Sequence, residues 1–237
     1  MKIWAIADLH LGFSTGKWMD VFGENWKDHH RKVERAWRER VDARDVVLHP
    51  GDFSWAMKAS EVREDLAWLA DLPGRKVLIK GNHDYWWPSS RRKLEELLPP
   101  GVFAMKKTAL LIDGVPLLGV RGGDFHPREG QDFSTVEQRL KRERHELLLS
   151  VEACAAFEGE RRRPPIAMFH YPPFPIGRSE SVFTRIVEEA GCDLCVYGHL
   201  HTEAEWERVF RGERRGVSYR LVACDALGFA PLLVAEA

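Results

Sequence analysis

The stretch Gly81-Asn82-His83-Asp84 sets a neutral amide oxygen, an imidazole and a carboxylate side by side. It follows Lys76-Val77-Leu78-Ile79, a short apolar run that reads as a buried strand. Gly81 permits a sharp exit from that strand. Asn82 and His83 are then presented at a strand's C-terminal end, where open α/β sheets place their sites. Asn82 offers an oxygen ligand; His83 offers a ligand or a proton.

Four more apolar runs end in the same way. Ile3 to Ala7 is followed by Asp8 and His10, Val46 to Leu48 by His49-Pro50-Gly51-Asp52, Pro165 to Phe169 by His170, and Leu194 to Tyr197 by Gly198-His199-Leu200-His201. In a sheet such ends converge on one edge. Imidazole with carboxylate and amide oxygen, and no thiolate, suits borderline-to-hard divalent transition metals. Eight candidate groups are too many for one ion: Asp8, His10, Asp52, Asn82, His83, His170, His199 and His201. They suit two ions about 3.5–4 Å apart sharing a carboxylate, a geometry used for in-line displacement at phosphorus.

Asp8-x-His10, Gly51-Asp52, Gly81-Asn82-His83-Asp84, His170 and Gly198-His199-x-His201, in that order, resemble the calcineurin-like metallophosphoesterases, and among them the bacterial-type predicted phosphohydrolases. The resemblance implies an α/β fold, a four-layer α/β/β/α sandwich of two mixed sheets with the metal site at strand C-terminal ends. It implies one ion held by Asp8, His10, Asp52 and His201, and a second by Asp52, Asn82, His170 and His199, with Asp52 bridging. His83 is then the catalytic residue rather than a ligand: it faces the phosphoryl group and protonates the leaving oxygen or stabilises the transition state. Manganese, iron and zinc all fit this ligand set. Where the Ser/Thr phosphatase branch continues with aspartate and arginine after its Gly-Asp, this chain has Phe53-Ser54-Trp55, and it has Asp84 where that branch has Glu. Phosphoprotein phosphatase activity is therefore disfavoured.

The function expected is hydrolysis of a small phosphodiester, in preference to a phosphomonoester, by a hydroxide shared between two ions. A nuclease of the repair type is one alternative, since Asp8-Leu9-His10-Leu11-Gly12 is similar to the start of those enzymes. They carry a capping domain and partner-binding tail, however, and this chain ends 36 residues after His201. A net charge of −1 also disfavours tight polynucleotide binding, whose affinity comes mainly from phosphate contacts. A non-catalytic metal-binding scaffold is the second alternative, disfavoured because every ligand is present.

The elements that must position these groups are legible in outline. The 237 residues, 44% hydrophobic, are expected to form a single domain, 1–237, with a sizeable core. No apolar run approaches a membrane span, and the N-terminus enters a strand without a signal-peptide pattern, so a cytoplasmic location is expected. Cys154, Cys192, Cys195 and Cys224 read as buried free thiols; the Cys192-Cys195 spacing lacks the second pair a structural zinc site needs.

Residues 13–28 form a long aromatic excursion that leaves the strand carrying Asp8 and His10, and is expected to lie over the site. Helices are expected over about 26–40, from Ser60 to a stop at Pro73-Gly74, over 90–98, from a Ser134-to-Glu137 capping box to about 156, and over 181–190. Asp113-Gly114 between β-prone runs signals a type I′ hairpin. Runs near 203–210, 217–223 and 229–234 read as an antiparallel tail completing a second sheet.

Substrate contacts are assigned to Trp55, to Trp86 as the neighbour of Trp87 that faces the cleft, and to Arg91, whose guanidinium matches phosphate oxygens. Arg121 and His126 join them, on a Gly-rich loop that also holds Asp124 and Arg128. A nucleotide-like compound could stack on the tryptophans.

Overall fold

A computed structural model describes residues 1–127, 130 and 132–237. Arg128 lies outside the described residues. The chain divides into two compact units, Met1–Ala104 with Val222–Ala237, and Met105–Leu221.

The first unit opens with β1 (Lys2–Ala5), α1 (His29–Arg40), β2 (Val46–His49), α2 (Arg63–Asp71), β3 (Arg75–Leu78), α3 (Arg91–Leu97) and β4 (Val102–Ala104). The strands β1 to β4 are parallel neighbours in that order. Each is joined to the next by a helical crossover, as parallel pairing requires. β1 to β3 are buried almost throughout, Val46 to His49 entirely, which is why they read as short continuous apolar runs, while β4 at the edge leaves Phe103 exposed. Trp37, Val33, Leu66 and Leu69 face inward from α1 and α2 into one apolar cluster.

The second unit holds β5 (Leu110–Ile112), β6 (Val115–Val120), α4 (Phe133–Ala155), β7 (Ile166–Phe169), α5 (Val182–Glu189), β8 (Leu194–Tyr197), α6 (Glu203–Arg208), β9 (Gly212–Arg214) and β10 (Val217–Leu221). Its sheet runs β5-β6-β7-β8-β10-β9. The inner strands β6, β7, β8 and β10 are parallel, and β5 and β9 close the edges antiparallel. The β5–β6 connection is the expected tight hairpin, with Asp113 at φ 50° and Gly114 at φ 82°. The chain then returns to the first unit, where β11 (Leu232–Glu236) pairs antiparallel with β1. Two mixed sheets with helices are the α/β class expected.

Four local expectations are corrected. The five ligand-bearing strands lie in two sheets, three in the first unit and two in the second, rather than along one sheet edge. The tail is split: residues 203–208 form helix α6, β10 is parallel to β8, and β11 joins the other sheet. Helix α4 is capped by Asp132, whose side chain accepts from the Thr135 amide at 2.8 Å, two residues ahead of the Ser134 box. Helix α2 starts at Arg63 without a side-chain cap, so Ser60 does not open it. No helix among the described residues is long and apolar enough to cross a membrane. All four cysteines are buried and free, as expected.

Candidate functional site

In the first unit the loops leaving β1 and β2 are zipped together by their backbones. The Asp8 amide donates to the Gly51 carbonyl at 3.0 Å, the His10 amide to the Asp52 carbonyl at 3.0 Å, and the Leu11 amide to the Phe53 carbonyl at 2.9 Å. This pairing holds Asp8 (φ 61°), His10 (φ 45°) and Asp52 (φ 53°) in the left-handed region. Such backbone conformations cost free energy in non-glycine residues and are retained where the surroundings over-determine them, commonly at functional sites. Asp8, His10 and Asp52 are all buried. The His10 Nε2 atom lies 3.7 Å from Asp52 Oδ2.

The loop after β3 closes on the same carboxylate. The His83 amide donates to Asp52 Oδ1 at 2.7 Å. Gly81 is required here, because a Cβ at this position would lie 2.1 Å from Asp52 Oδ1 and 2.2 Å from the Asp52 amide nitrogen. The His83 ring packs 4.5 Å from the Trp55 ring and 5.6 Å from that of His10.

Asp84 organises both loops from beneath. Its carboxylate accepts from the amides of Asp52, Phe53, Ser54 and Gly81 and from the Trp86 indole, at 2.8 to 3.2 Å. Burial pushes its pKa up to about 6, and the neighbouring Asp52 carboxylate adds to the rise. A second buried acid, Asp65 on α2, accepts from the Phe13 amide and the Ser54 hydroxyl, tying the aromatic excursion to the β2 loop. Its pKa also rises to about 6, again through burial.

The second unit contributes histidines. After β7, the amides of His170 and Tyr171 both donate to the Arg121 carbonyl, at 3.2 and 2.9 Å. The Gly198 amide, after β8, donates to the His170 carbonyl at 3.1 Å. His170 Nε2 and His199 Nδ1 are 3.2 Å apart, and the Tyr171 ring lies 3.9 Å from that of His199. His199, at φ 76°, is also left-handed.

Candidate metal-binding residues occur in both units, Asp8, His10 and Asp52 in the first and His170, His199 and His201 in the second. The donor chemistry fits divalent ions. Buried carboxylates such as Asp8 and Asp52 call for a compensating cation, and the imidazoles keep it in the transition-metal range.

The assigned substrate contacts fall in different settings. Trp55 stacks on His10 with ring centroids 4.8 Å apart. His126 is exposed and lines a cavity of the second unit. The Arg121 guanidinium is ion-paired with the buried Glu143 on α4, whose pKa burial raises even so. Arg91 is exposed and bonded to Glu95 at 2.8 Å. Trp86 and Trp87 are both buried, at 2% and 6% exposure, where one of the pair was expected to face the cleft. Trp86 satisfies its N–H on Asp84, which lets the whole indole enter the core.

The anchoring roles of Asp84 and Asp65 escaped sequence reasoning. Asp84 was visible only as the end of the Gly81 stretch. Asp65 stands in a helix among inward-facing leucines and has no spacing signal.

With this geometry in hand, the comparisons are specific. The calcineurin-like phosphoesterase family matches residues 1–203, and the chain belongs to that family. Two curated relatives are gene 66 proteins of mycobacteriophages. That of phage L5 is 34% identical over 122 residues, 51% of this chain and 58% of the relative, and that of phage D29 is 37% identical over 91 residues, 38% and 44%. The matches thus span about half the length of each relative. Among solved structures, the phosphopantetheinyl hydrolase PptH of Mycobacterium tuberculosis is similar over 100% of this chain and 98% of its own, with a TM-score of 0.54 at 16% identity. That likeness shows the fold.

Proposed function

We propose that the whole chain, 1–237, acts as one dinuclear-metal phosphohydrolase on small phosphoesters, diesters in preference to monoesters. The observation that carries this reading is the Asp52 loop. One buried carboxylate is approached by the His10 imidazole and fixed by the His83 amide, and the chain belongs to a phosphoesterase family. Asp8, His10, Asp52 and His201 would hold one ion, and Asp52, Asn82, His170 and His199 the other. Bound divalent ions would lower the pKa of water and neutralise phosphoryl oxygens; manganese, iron and zinc all suit these donors.

The chain's own residues do the rest. His83 protonates the leaving oxygen or hydrogen-bonds to it, its ring held by Trp55 and its backbone by Asp52. Asp84 clamps the Asp52 and Gly81 backbones, so the bridging carboxylate and the acid keep a fixed relation. The residues after Asp52, Phe53-Ser54-Trp55, supply an indole where the Ser/Thr phosphatase branch supplies its phosphate-gripping arginine. A diester, with one less charge to neutralise than a monoester, fits that replacement.

The test is hydrolysis of bis-p-nitrophenyl phosphate and p-nitrophenyl phosphate side by side, with added manganese and an Asp52→Asn control. Diester turnover that exceeds monoester turnover and vanishes in the control is the expected result. Monoester turnover alone would reverse the preference. Silence on both, with two ions bound per chain, would restore the scaffold reading.

A further inference from the structure

The second unit contains a cavity of about 150 Å³ that reaches the candidate ligand His199. Phe125, Tyr171, Pro172, Phe174 and Ile176 supply most of its wall. The wall is stiff. Phe174 is buried and packs edge-on to Tyr197, Phe210 and Tyr219 at centroid distances of 5.5, 5.7 and 5.6 Å, and Phe125 packs on Phe183 at 5.9 Å. Tyr171 belongs both to this wall and to the His199 environment, with the two rings 3.9 Å apart. A group seated here therefore lies beside a residue that would hold one of the two ions. Two acids also line the cavity, Asp124 and Glu205. The Glu205 carboxylate is turned to the start of α6, where it accepts from the Thr202 hydroxyl at 2.7 Å.

We propose that this cavity is the specificity pocket for one arm of the phosphodiester, and that the arm is short, uncharged and apolar, a small alkyl or alkyl-like alcohol. The inference rests on the phosphoesterase reading above. Rings and prolines gain by removing apolar surface from water, and a rigid wall adds little ordering cost on binding. The rings and prolines of the wall offer little to replace the water lost by an arm ending in a second phosphate or a carboxylate. The small volume limits the arm to a few carbons.

Glycerol phosphodiesters whose second arm is methyl, ethyl, propyl or butyl test this directly, with released alcohols resolved by mass spectrometry in the manganese-loaded protein. The expected result is a rise in kcat/KM of about fourfold per added methylene, levelling off once the cavity is full. A terminal carboxylate on the butyl arm should cancel the gain. Ile176 is half-buried at the rim. Ile176→Trp should flatten the chain-length series, and Ile176→Ala should move the levelling point to a longer arm. A flat series in the native protein would overturn the proposal, as would a slope that both Ile176 variants leave intact. So would turnover of bis-p-nitrophenyl phosphate with none for the glycerol series. Silence on bis-p-nitrophenyl phosphate as well would defeat the phosphoesterase reading itself.

Discussion

Single atoms around Asp52 separate positioning from chemistry. Asp84 accepts five hydrogen bonds, four of them from backbone amides on the two loops that present Asp52 and Asn82. An amide side chain is nearly the same shape, but it has one acceptor oxygen and turns an NH2 toward donors. Asp84→Asn should therefore leave buried N–H groups unsatisfied, each costing about 1–3 kcal/mol. Chemical denaturation of the metal-free protein should register a loss of at least that size. An unchanged midpoint would mean that the loops are held some other way.

His83 is the contrasting case. Its backbone does the anchoring and its ring the chemistry, so His83→Ala keeps the amide bond to Asp52. That variant should lose about 10²–10⁴-fold in turnover while metal analysis still finds two ions per chain. Loss of metal together with activity would make His83 a ligand instead.

At the scale of elements, the strands that carry ligands were the most legible part of the chain. Val46 to His49 and Ile166 to Phe169 are fully buried, and burial on both faces leaves a continuous apolar run that ends abruptly where the functional residues begin. What the sequence could not reveal was which sheet each run joins, because that is decided by strand pairing far apart in the chain. Leu221 of β10 pairs with Tyr197 of β8, whereas Ala5 of β1 pairs with Leu232 of β11, so a tail of similar β-prone runs is divided between two sheets. Helix α6 was misread for a related reason. It is six residues long, and Ala204 and Trp206, two residues apart, mimic a strand's alternation.

The cap of α5 was legible as a side chain reaching the amide three residues on, whereas Asp132 of α4 and Thr202 of α6 do the same and were missed. Ser181 does so for α5, accepting from the Phe183 and Thr184 amides at 2.9 and 3.3 Å, while its own amide donates to the Thr184 hydroxyl. The Ser181 hydroxyl also donates to the Pro173 carbonyl, linking the cap to the stiff turn after His170. Ser181→Ala should lower stability by about 1 kcal/mol and Tm by about 2–4 °C. A shift near zero in thermal melts would show that the cap is redundant with packing on the buried Phe183 and Val187.

For the molecule as a whole, buried ionisable groups decide how stability follows pH, and they pull in opposite directions. Asp65 titrates near 6 when folded because burial raises it above the ordinary 3.8. Between those values the folded state binds more protons than the unfolded chain, so this group makes stability fall as pH rises through that window. His49 does the reverse. It ends β2 fully buried, neither ring nitrogen has a hydrogen-bond partner among the described residues, and its pKa drops to about 3 through desolvation. Below about 6.5 the unfolded chain takes up a proton that folded His49 refuses, so stability is lost as pH falls from there toward 3. At pH 5 that loss is about 2 kcal/mol, since each unit of pH below the unfolded pKa is worth about 1.4 kcal/mol.

The two slopes mask each other in the native protein, but a difference measurement separates them. His49→Phe keeps a ring at this site, where the Phe53 ring lies 5.6 Å away, and removes the titration. The stability of His49→Phe relative to native should therefore improve by about 2 kcal/mol on going from pH 7.5 to pH 5, whatever constant offset the larger ring imposes. The variant alone should also unmask the decline with rising pH that Asp65 and Asp84, both raised by burial, contribute. Urea titrations of the two metal-free proteins at both pH values decide the point. A difference that does not change with pH would mean that His49 finds a proton acceptor or water in the folded state, and that its burial is not the acid-sensitive element of this fold.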